Sequence, residues 1–387
     1  MIIRNAKIIN PGREIDTRDI FVDDETGLIC SEDKGGDVMD AEGLFCCPGF
    51  IDTHIHGSFG SDASDGSTEA IRTMASRLPE FGVAAFCPTT MTTGIDVIRK
   101  AFEATSEVAD SQNRGEAQIL GIHLEGPFMS PDMAGVQNAD CCIPPSRAMA
   151  IIDALEADFP GLMKIIDLAP ELDGGMEFIR KASGRYVVSL AHSEADYETA
   201  MRAFGEGATS VTHILNAMKS FGKRFPGIPA AVCDNGKIYA EIICDGYHIE
   251  APMLRMMFRL IDPDHMIIIS DAMRGAGMPD GVYKLADADV EVRGGRTYYG
   301  PSGNLAGSVT NLAQEAHRLY SFGIPMDSII RALTINPLRR LGIKPEKIGL
   351  GYVRPGFRAS FNLMDDEFRL VSSCVDGIIR EPNADII

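Results

Sequence analysis

The sequence is short of positive charge, with 36 Lys and Arg against 55 Asp and Glu and a formal net charge of −19. This excess of acid argues against binding to nucleic acid, because phosphate backbones attract clustered Lys and Arg. It argues equally against docking on an anionic membrane surface. A small phosphorylated ligand is not excluded, since it needs only about two or three local hydrogen-bond donors.

The sequence also lacks a signal peptide, a membrane-spanning run and a cysteine motif. Arg4, Lys7 and Arg13 interrupt the N-terminal segment, which therefore has no apolar region of the kind that directs export. No uninterrupted apolar run is long enough to span a bilayer. The nine cysteines are scattered, apart from two adjacent pairs, and none forms a C-x-x-C. We therefore expect a cytoplasmic protein with reduced thiols.

Eight short apolar runs alternate with amphipathic segments through most of the chain. Such runs are typical of strands that are buried on both faces. The segments between most of them predict helices, among which Ile95–Ala109 is one of the clearest. This alternation favours an α/β fold with a closed (β/α)8 TIM barrel over an open doubly wound sheet. The runs are Phe45–Ile55, Val83–Cys87, Gln118–Leu124, Lys164–Leu168, Tyr186–Ala191, Ser210–Ile214, Ile238–Cys244 and Met266–Ser270.

The two ends of the chain have a different pattern, made of short alternating segments and turn residues. We expect them to pair into a small β-sandwich domain, with residues 1–46 as its N-terminal part and 344–387 as its C-terminal part. The barrel would then occupy 47–343. A hairpin insertion is predicted near 283–300, where Gly294-Gly295 forms the turn.

Histidines and carboxylates collect at the ends of the predicted barrel strands, where this fold places its active sites. The chain has eight histidines, and five of them fall there. Residues i and i+2 of a strand point to one side, so His54 and His56 can reach one cation. A lone histidine is more often structural, but six compatible groups on one rim favour a metal site. The predicted ligands are His54, His56, Glu125, His192, His213 and Asp271.

A site of this composition suits zinc, iron or manganese and predicts hydrolysis of an unreactive bond such as an amide. A bound divalent ion lowers the pKa of water to roughly 7 and polarises a carbonyl. A neighbouring carboxylate then takes the proton and returns it to the leaving nitrogen. Asp271 is the predicted catalytic residue, because it is a strand-end carboxylate without a basic neighbour in its motif. The alternative is that it only caps a following helix.

Six motifs, in this order, resemble the N-acetylglucosamine-6-phosphate deacetylase family of the amidohydrolase superfamily. The resemblance covers nearly the whole chain. The first motif is common to many amidohydrolases, whereas the second, third and last are much more specific to the deacetylases. The motifs are Pro48–Gly57, His123–Phe128, Thr212–Met218, Asp245–His248, Ser270–Met273 and Leu305–Ser308.

The resemblance implies how the predicted ligands divide between two ions. Glu125, His192 and His213 would hold the principal ion. His54 and His56 would hold a second ion, with Glu125 as the bridge. The expected cofactor is therefore one or two divalent ions per chain, with zinc first and iron or manganese as alternatives.

The resemblance also implies a substrate. N-acetylglucosamine 6-phosphate would be hydrolysed to glucosamine 6-phosphate and acetate in amino-sugar catabolism, with Asp271 as general base and then general acid. Arg224 matches the family's phosphate-binding arginine, whose guanidinium offers a bidentate fork. His248 matches a phosphate contact that reaches in from the neighbouring subunit of a homodimer. The implied substrate-binding residues are Gly135, Val136, Gln137, Asn216, Ala217, Arg224, His248, Leu305, Ala306 and Gly307.

Two positions depart from the family pattern. Gln137 stands where the family often has a histidine that helps to polarise the substrate carbonyl, and an amide side chain carries no charge. Our hypothesis is that the second ion supplies some of the lost polarisation. Phe225 stands where a glutamate usually accompanies the arginine.

These departures leave a second substrate class open. The same chemistry on N-acetylgalactosamine 6-phosphate, or on a non-phosphorylated N-acyl compound, is the alternative prediction. A catalytically inactive barrel that serves as a scaffold is a different class of function. Proteins of that class have lost ligands, whereas all six predicted ligands are present in this sequence.

Overall fold

The computed structural model describes residues 1–219, 221–300 and 303–382, so residues 383–387 of the predicted C-terminal segment lie outside the described residues. The strands are β1 (Ile2–Ile8), β2 (Asp16–Asp23), β3 (Leu28–Cys30), β4 (Val38–Asp40), β5 (Phe45–Pro48), β6 (Phe50–Ile55), β7 (Gly57–Ser58), β8 (Ser61–Asp62), β9 (Val83–Thr90), β10 (Gln118–Ile119), β11 (Ile122–Phe128), β12 (Met163–Leu168), β13 (Val187–Leu190), β14 (Ser210–Val211), β15 (Tyr239–Ile243), β16 (Met266–Ile269), β17 (Gly281–Leu285), β18 (Ala288–Arg293), β19 (Arg296–Tyr299), β20 (Phe361–Met364), β21 (Leu370–Val375) and β22 (Ile378–Arg380).

The α-helices are α1 (Thr68–Arg77), α2 (Ile95–Ala109), α3 (Ala148–Asp158), α4 (Gly175–Ala182), α5 (Tyr197–Glu206), α6 (Gly227–Asn235), α7 (Ala251–Leu260), α8 (Leu312–Ser321), α9 (Met326–Leu333), α10 (Ile335–Arg340) and α11 (Pro345–Ile348). Their buried residues recur at helical spacing; in α2, for example, Ile98, Phe102 and Thr105 face the core. Within the described ranges, no helix combines the length and apolar character that crossing a bilayer requires.

Eight parallel strands form a nearly closed barrel in the order β6-β9-β11-β12-β13-β14-β15-β16, with β10 added beside β9. The last strand returns to the first through a parallel bridge between Ile55 and Ala272. The Asp271 amide strengthens this closure by donating to the His54 carbonyl at 3.0 Å. Every residue of β9 and β11 is buried, as expected for strands covered on both faces. The predicted (β/α)8 barrel is confirmed.

Strands from both ends of the chain form a second sheet, ordered β22-β21-β20-β5-β1-β2-β3, with β4 paired to β1. The two ends meet where β20 pairs antiparallel with β5, which pairs parallel with β1. Their buried side chains, including Ile3, Ile20 and Phe361, form an apolar cluster of their own. A small β-domain built from both termini is therefore confirmed.

The first predicted barrel run, Phe45–Ile55, is divided between the two sheets. β5 belongs to the terminal sheet, β6 belongs to the barrel, and Gly49 separates them. A Cβ atom at Gly49 would lie 2.5 Å from the Ala84 Cβ, so only glycine fits this crossing. Continuous apolar character alone did not reveal the break, because both strands are buried.

An antiparallel sheet of three strands, β17-β18-β19, is inserted between β16 and α8. Gly294 and Gly295 join β18 to β19 with φ of 57° and 72°, the left-handed region that a two-residue hairpin turn requires. The hydroxyl of Thr297 on β19 donates to the Gly307 carbonyl at 2.7 Å. The insertion thereby supports a segment at the barrel mouth.

Candidate active site

The carboxyl ends of the barrel strands surround a cavity of about 450 Å³. Five of the six predicted ligands line it, and the sixth, His54, lies fully buried beneath its floor. Glu125 lies within β11, whereas His54 and His56 lie at the end of β6 and directly after it. His192, His213 and Asp271 each lie two positions after the end of a strand, β13, β14 and β16 in turn. The fold thus brings together side chains that are up to 217 positions apart in sequence (54 to 271).

Glu125, His192 and His213 form one compact group. The Glu125 Oε1 atom lies 3.2 Å from His192 Nε2 and 3.1 Å from His213 Nε2. The two imidazole Nε2 atoms are 3.1 Å apart. All three side chains are buried, so these atoms face each other in a region of low dielectric.

His54, His56 and Asp271 form a second group around the same glutamate. His56 Nε2 lies 3.2 Å from both Glu125 Oε2 and Asp271 Oδ1. His54 Nε2 lies 3.5 Å from Glu125 Oε1 and 3.5 Å from Asp271 Oδ1. Glu125 is therefore shared by both groups.

These contacts fit a cation better than they fit hydrogen bonds. The Nδ1 atom of His192 donates to the Met133 carbonyl at 2.7 Å, so the Nε2 atom of a neutral ring carries a lone pair. The same holds for His54, because its Nδ1 atom lies 3.0 Å from Glu241 Oε2 and its Nε2 atom is therefore left with the lone pair. His54 Nε2 is buried and has no hydrogen-bond partner among the described residues. Imidazole lone pairs and carboxylate oxygens that face one point are suited to bind a divalent ion there.

Two carboxylates at the centre of the site are ionised. Burial would raise the pKa of Glu125, but four surrounding imidazoles, led by His54 and His56, together outweigh burial and hold the pKa well below its usual value. Asp271 is affected in the same way: burial opposes ionisation, and the two imidazoles together lower the pKa of its carboxyl. Both acids are therefore ionised at neutral pH, as ligands and as a proton acceptor must be.

Three of the converging residues have unusual backbone angles. His192, His213 and Asp271 have φ of 44°, 31° and 46°, in the left-handed region that residues other than glycine rarely adopt. Such strain persists where the surrounding structure enforces it, and it is common at functional sites. Each of these residues lies two positions after the end of its strand. The local turn therefore directs the side chain into the barrel mouth.

Asp271 does not cap a helix. The next element after it is β17, and its own amide and carbonyl bond to the His54 carbonyl and the Ser308 amide, at 3.0 and 2.7 Å. Its carboxylate is left free to face the cavity, which it lines.

Comparison with known proteins identifies the family. A family model described as the amidohydrolase family matches residues 45–385. The chain belongs to the amidohydrolase family. The resemblance inferred from the motifs is thereby confirmed.

Several proteins similar to this amidohydrolase are deacetylases. It is 31% identical to the N-acetylglucosamine-6-phosphate deacetylase of Lysinibacillus sphaericus, over 98% of this chain and 97% of the relative. It is 30% identical to the N-acetylgalactosamine-6-phosphate deacetylase of Escherichia coli O157:H7, over 88% and 89%. The crystal structure of the N-acetylglucosamine-6-phosphate deacetylase from Pasteurella multocida is 25% identical, with a TM-score of 0.87 over 98% and 99% of the two chains.

Nine of the ten predicted substrate-binding residues line the cavity of the amidohydrolase. They are Gly135, Val136, Gln137, Asn216, Ala217, His248, Leu305, Ala306 and Gly307. The tenth, Arg224, is exposed and is not among the described residues that line the cavity. Its neighbour Phe225 is 76% exposed. Sequence analysis missed other lining residues, including Met91, Asp132, Met133, Ile243, Leu285 and Asn304, because none of them forms a chemical motif.

Gln137 has an orientation that its sequence motif does not reveal. The Thr92 amide donates to Gln137 Oε1 at 2.6 Å, and because a backbone N–H only donates, the amide oxygen must face it. Gln137 Nε2 then donates to Glu125 Oε2 at 2.5 Å. The side chain therefore contacts a predicted metal ligand, although it also lines the cavity.

His248 lies on the cavity wall in the loop after β15. Its Nδ1 atom is 2.7 Å from Asp245 Oδ2, which orients the ring. The neighbouring ring of Tyr247 is contacted by the guanidinium groups of Arg296 and Arg318, at 4.2 and 4.9 Å from its centroid. Neither arginine is among the described residues that line the cavity.

Sequence analysis also missed Glu241 and Arg340, which lie below the cavity floor. Glu241 contacts His54, and the fully buried Arg340 forms an ion pair with Glu241. A signal for Glu241 did exist, because it is a carboxylate inside the apolar run Ile238–Cys244. Arg340 offered no signal, since it is one of two adjacent arginines at the end of a helix.

Proposed function

We propose that this amidohydrolase removes the acetyl group from the nitrogen of N-acetylglucosamine 6-phosphate, producing glucosamine 6-phosphate and acetate. The observation that carries the proposal is the convergence of six buried imidazoles and carboxylates, five of which line one cavity together with residues of the deacetylase motifs. A relative of that name, 31% identical over 98% of this chain, supports the same substrate.

The proposed metal ligands divide as the two groups do. Glu125, His192 and His213 would hold the principal ion, and His54 and His56, with Asp271 beside them, would hold a second ion together with Glu125. A bound divalent ion supplies Lewis acidity, which polarises an amide carbonyl and lowers the pKa of water to roughly 7.

Asp271 is the proposed general base and general acid. Its carboxylate is ionised, lines the cavity and lies beside His56, at the floor where an acetyl group would be placed. It accepts a proton from the attacking water and returns that proton to the nitrogen as the carbon–nitrogen bond breaks. A carboxylate bound to a cationic side chain at this position would be a poor acceptor, and Asp271 has no Lys or Arg partner among the described residues.

His248 and Arg224 are the proposed phosphate ligands. His248 lines the cavity, and Asp245 orients its ring so that Nε2 is available to a ligand. Arg224 lies on an exposed loop, and the resemblance to the deacetylase family is its main support. The proposal that Asn216, Ala217 and the segment 305–307 contact the sugar rests on their place in the cavity wall.

Three further properties belong to the same proposal: zinc as the ion, a homodimer as the assembly and the cytoplasm as the location. Imidazole and carboxylate ligands support zinc without excluding iron or manganese. The resemblance to the deacetylase family is the only support for the dimer, since His248 lines the cavity of its own chain. Elemental analysis, light scattering of the purified protein and cell fractionation test these properties in turn.

The decisive experiment measures acetate release from N-acetylglucosamine 6-phosphate before and after chelation. Activity that chelation abolishes and divalent ions restore is the expected result. No release with a stoichiometric ion bound would contradict the substrate, and no bound ion would favour the inactive scaffold.

A panel of acetylated substrates separates the alternatives. N-acetylgalactosamine 6-phosphate is the second candidate, because a relative 30% identical over 88% of this chain carries that name. Unphosphorylated N-acetylglucosamine is expected to be a poor substrate. If it were hydrolysed as well as the phosphorylated sugar, the phosphate requirement would be wrong.

A further inference from the structure

We propose that Glu241 and Arg340 are positioning residues that select the metal-binding tautomer of His54, and so control binding of the second ion. The inference rests on the proposed metal centre and deepens it. Neither residue lines the cavity or belongs to the motifs that identified the ligands.

The pair lies directly behind His54. Glu241 Oε2 is 3.0 Å from His54 Nδ1, while Glu241 Oε1 accepts a hydrogen bond from Arg340 Nη1. Arg340 also donates from Nη2 to the hydroxyl of Thr53, the residue that precedes His54 on β6, at 2.5 Å. The side chains of His54, Glu241 and Arg340 have no exposed surface. A carboxylate that is buried in this way requires a charged partner, and Arg340 provides it.

His54 is supported differently from the other three predicted imidazole ligands. The Nδ1 atoms of His56 and His192 face the carbonyls of Thr89 and Met133, at 3.2 and 2.7 Å. The Nδ1 atom of His213 has no hydrogen-bond partner among the described residues. Among the Nδ1 atoms of this set, only that of His54 faces a carboxylate, which fixes the ring tautomer and strengthens Nε2 as an electron-pair donor.

The same region does not form a third ion site. His54, His123 and Glu241 lie close enough to resemble one. However, the guanidinium of Arg340 contacts Glu241 and would repel a cation. The two ring nitrogens of His123 already face the Thr53 carbonyl at 2.9 Å and Asp167 at 3.0 Å.

The pair has a specific consequence for Glu241→Gln. Because Arg340 only donates, the glutamine oxygen must face Arg340, and its NH2 group must face His54 Nδ1. His54 would then carry its proton on Nε2, where it cannot bind an ion. Removing the donor as well, in Glu241→Gln with Arg340→Met, lets the amide turn so that its oxygen again faces Nδ1. The double variant should therefore recover the affinity for the second ion that the single variant loses.

The test is titration of the apo protein with cobalt(II), followed by visible absorption and by elemental analysis. In Glu241→Gln, affinity for one of the two ions should fall about 10- to 100-fold, while affinity for the other stays within about twofold. Glu315→Gln is the matched control, because Glu315 is also a fully buried glutamate, but it bonds to Cys244 and Thr310. It should bind both ions as the wild type does.

Two further readouts make the proposal falsifiable. Histidine ¹⁵N NMR of apo Glu241→Gln should show a proton on His54 Nε2, and thermal unfolding should show that the variant is folded. The proposal would be overturned if Glu241→Gln lost affinity for both ions equally or for neither. It would also be overturned if the double variant bound the affected ion more weakly than the single variant. If the wild type itself bound no ion, the proposed function would fail instead.

Discussion

Replacing Gln137 with alanine tests how this chain manages without the histidine that its family often has. The side chain accepts from the Thr92 amide and donates to Glu125, at 2.6 and 2.5 Å. A hydrogen bond to a charged group is worth about 1.5–3 kcal/mol, which corresponds to roughly 10- to 150-fold. Because the bond holds a proposed ligand, we expect kcat to fall within that range and KM to change less.

The assay is acetate release with the metal content measured on the same sample. Gln112→Ala is a suitable control, since Gln112 also makes two hydrogen bonds, to the Ala117 carbonyl and from the Ile119 amide, but does not line the cavity. It should lower stability without changing kcat. An unchanged kcat in Gln137→Ala with a full complement of ions would remove Gln137 from the mechanism.

Three further predictions follow from the same structure. Asp271→Asn should lower kcat by about 10²- to 10⁴-fold with at least the principal ion retained; activity within tenfold of wild type would exclude it as the proton-transfer group. His248→Ala should raise KM for the phosphorylated sugar much more than for its unphosphorylated analogue, and equal effects on both would contradict a phosphate contact. Glu315→Gln should remove a pH dependence of stability, measured by denaturant unfolding. Burial raises the pKa of Glu315 well above its ordinary 4.5, so the folded state keeps a proton that the unfolded chain releases. This proton's contribution to wild-type stability is fully present below the ordinary pKa. It is lost as the pH rises towards the raised pKa, by about 1.4 kcal/mol per pH unit. Parallel curves for the two proteins would refute this.

The local sequence pattern was enough to predict the helices and strands and the metal-compatible residues at the barrel mouth. Helix α2 has the bounds that its amphipathic spacing predicts, Ile95–Ala109. The metal-compatible residues could be predicted because strand ends in a barrel meet at one rim, so position along each strand already indicates proximity. The predicted domain boundaries at 46/47 and 343/344 stay predictions.

Only the tertiary structure decided which groups touch. Glu241 and Arg340 are far from His54 in sequence, and nothing local indicates that they pair behind it. The direction in which Gln137 points depends on the Thr92 amide of another loop. A pattern of residue types reports which side chains are buried or at a strand end. The partner of each polar atom is set by the closure of the barrel, which brings separate strands and loops within hydrogen-bonding distance.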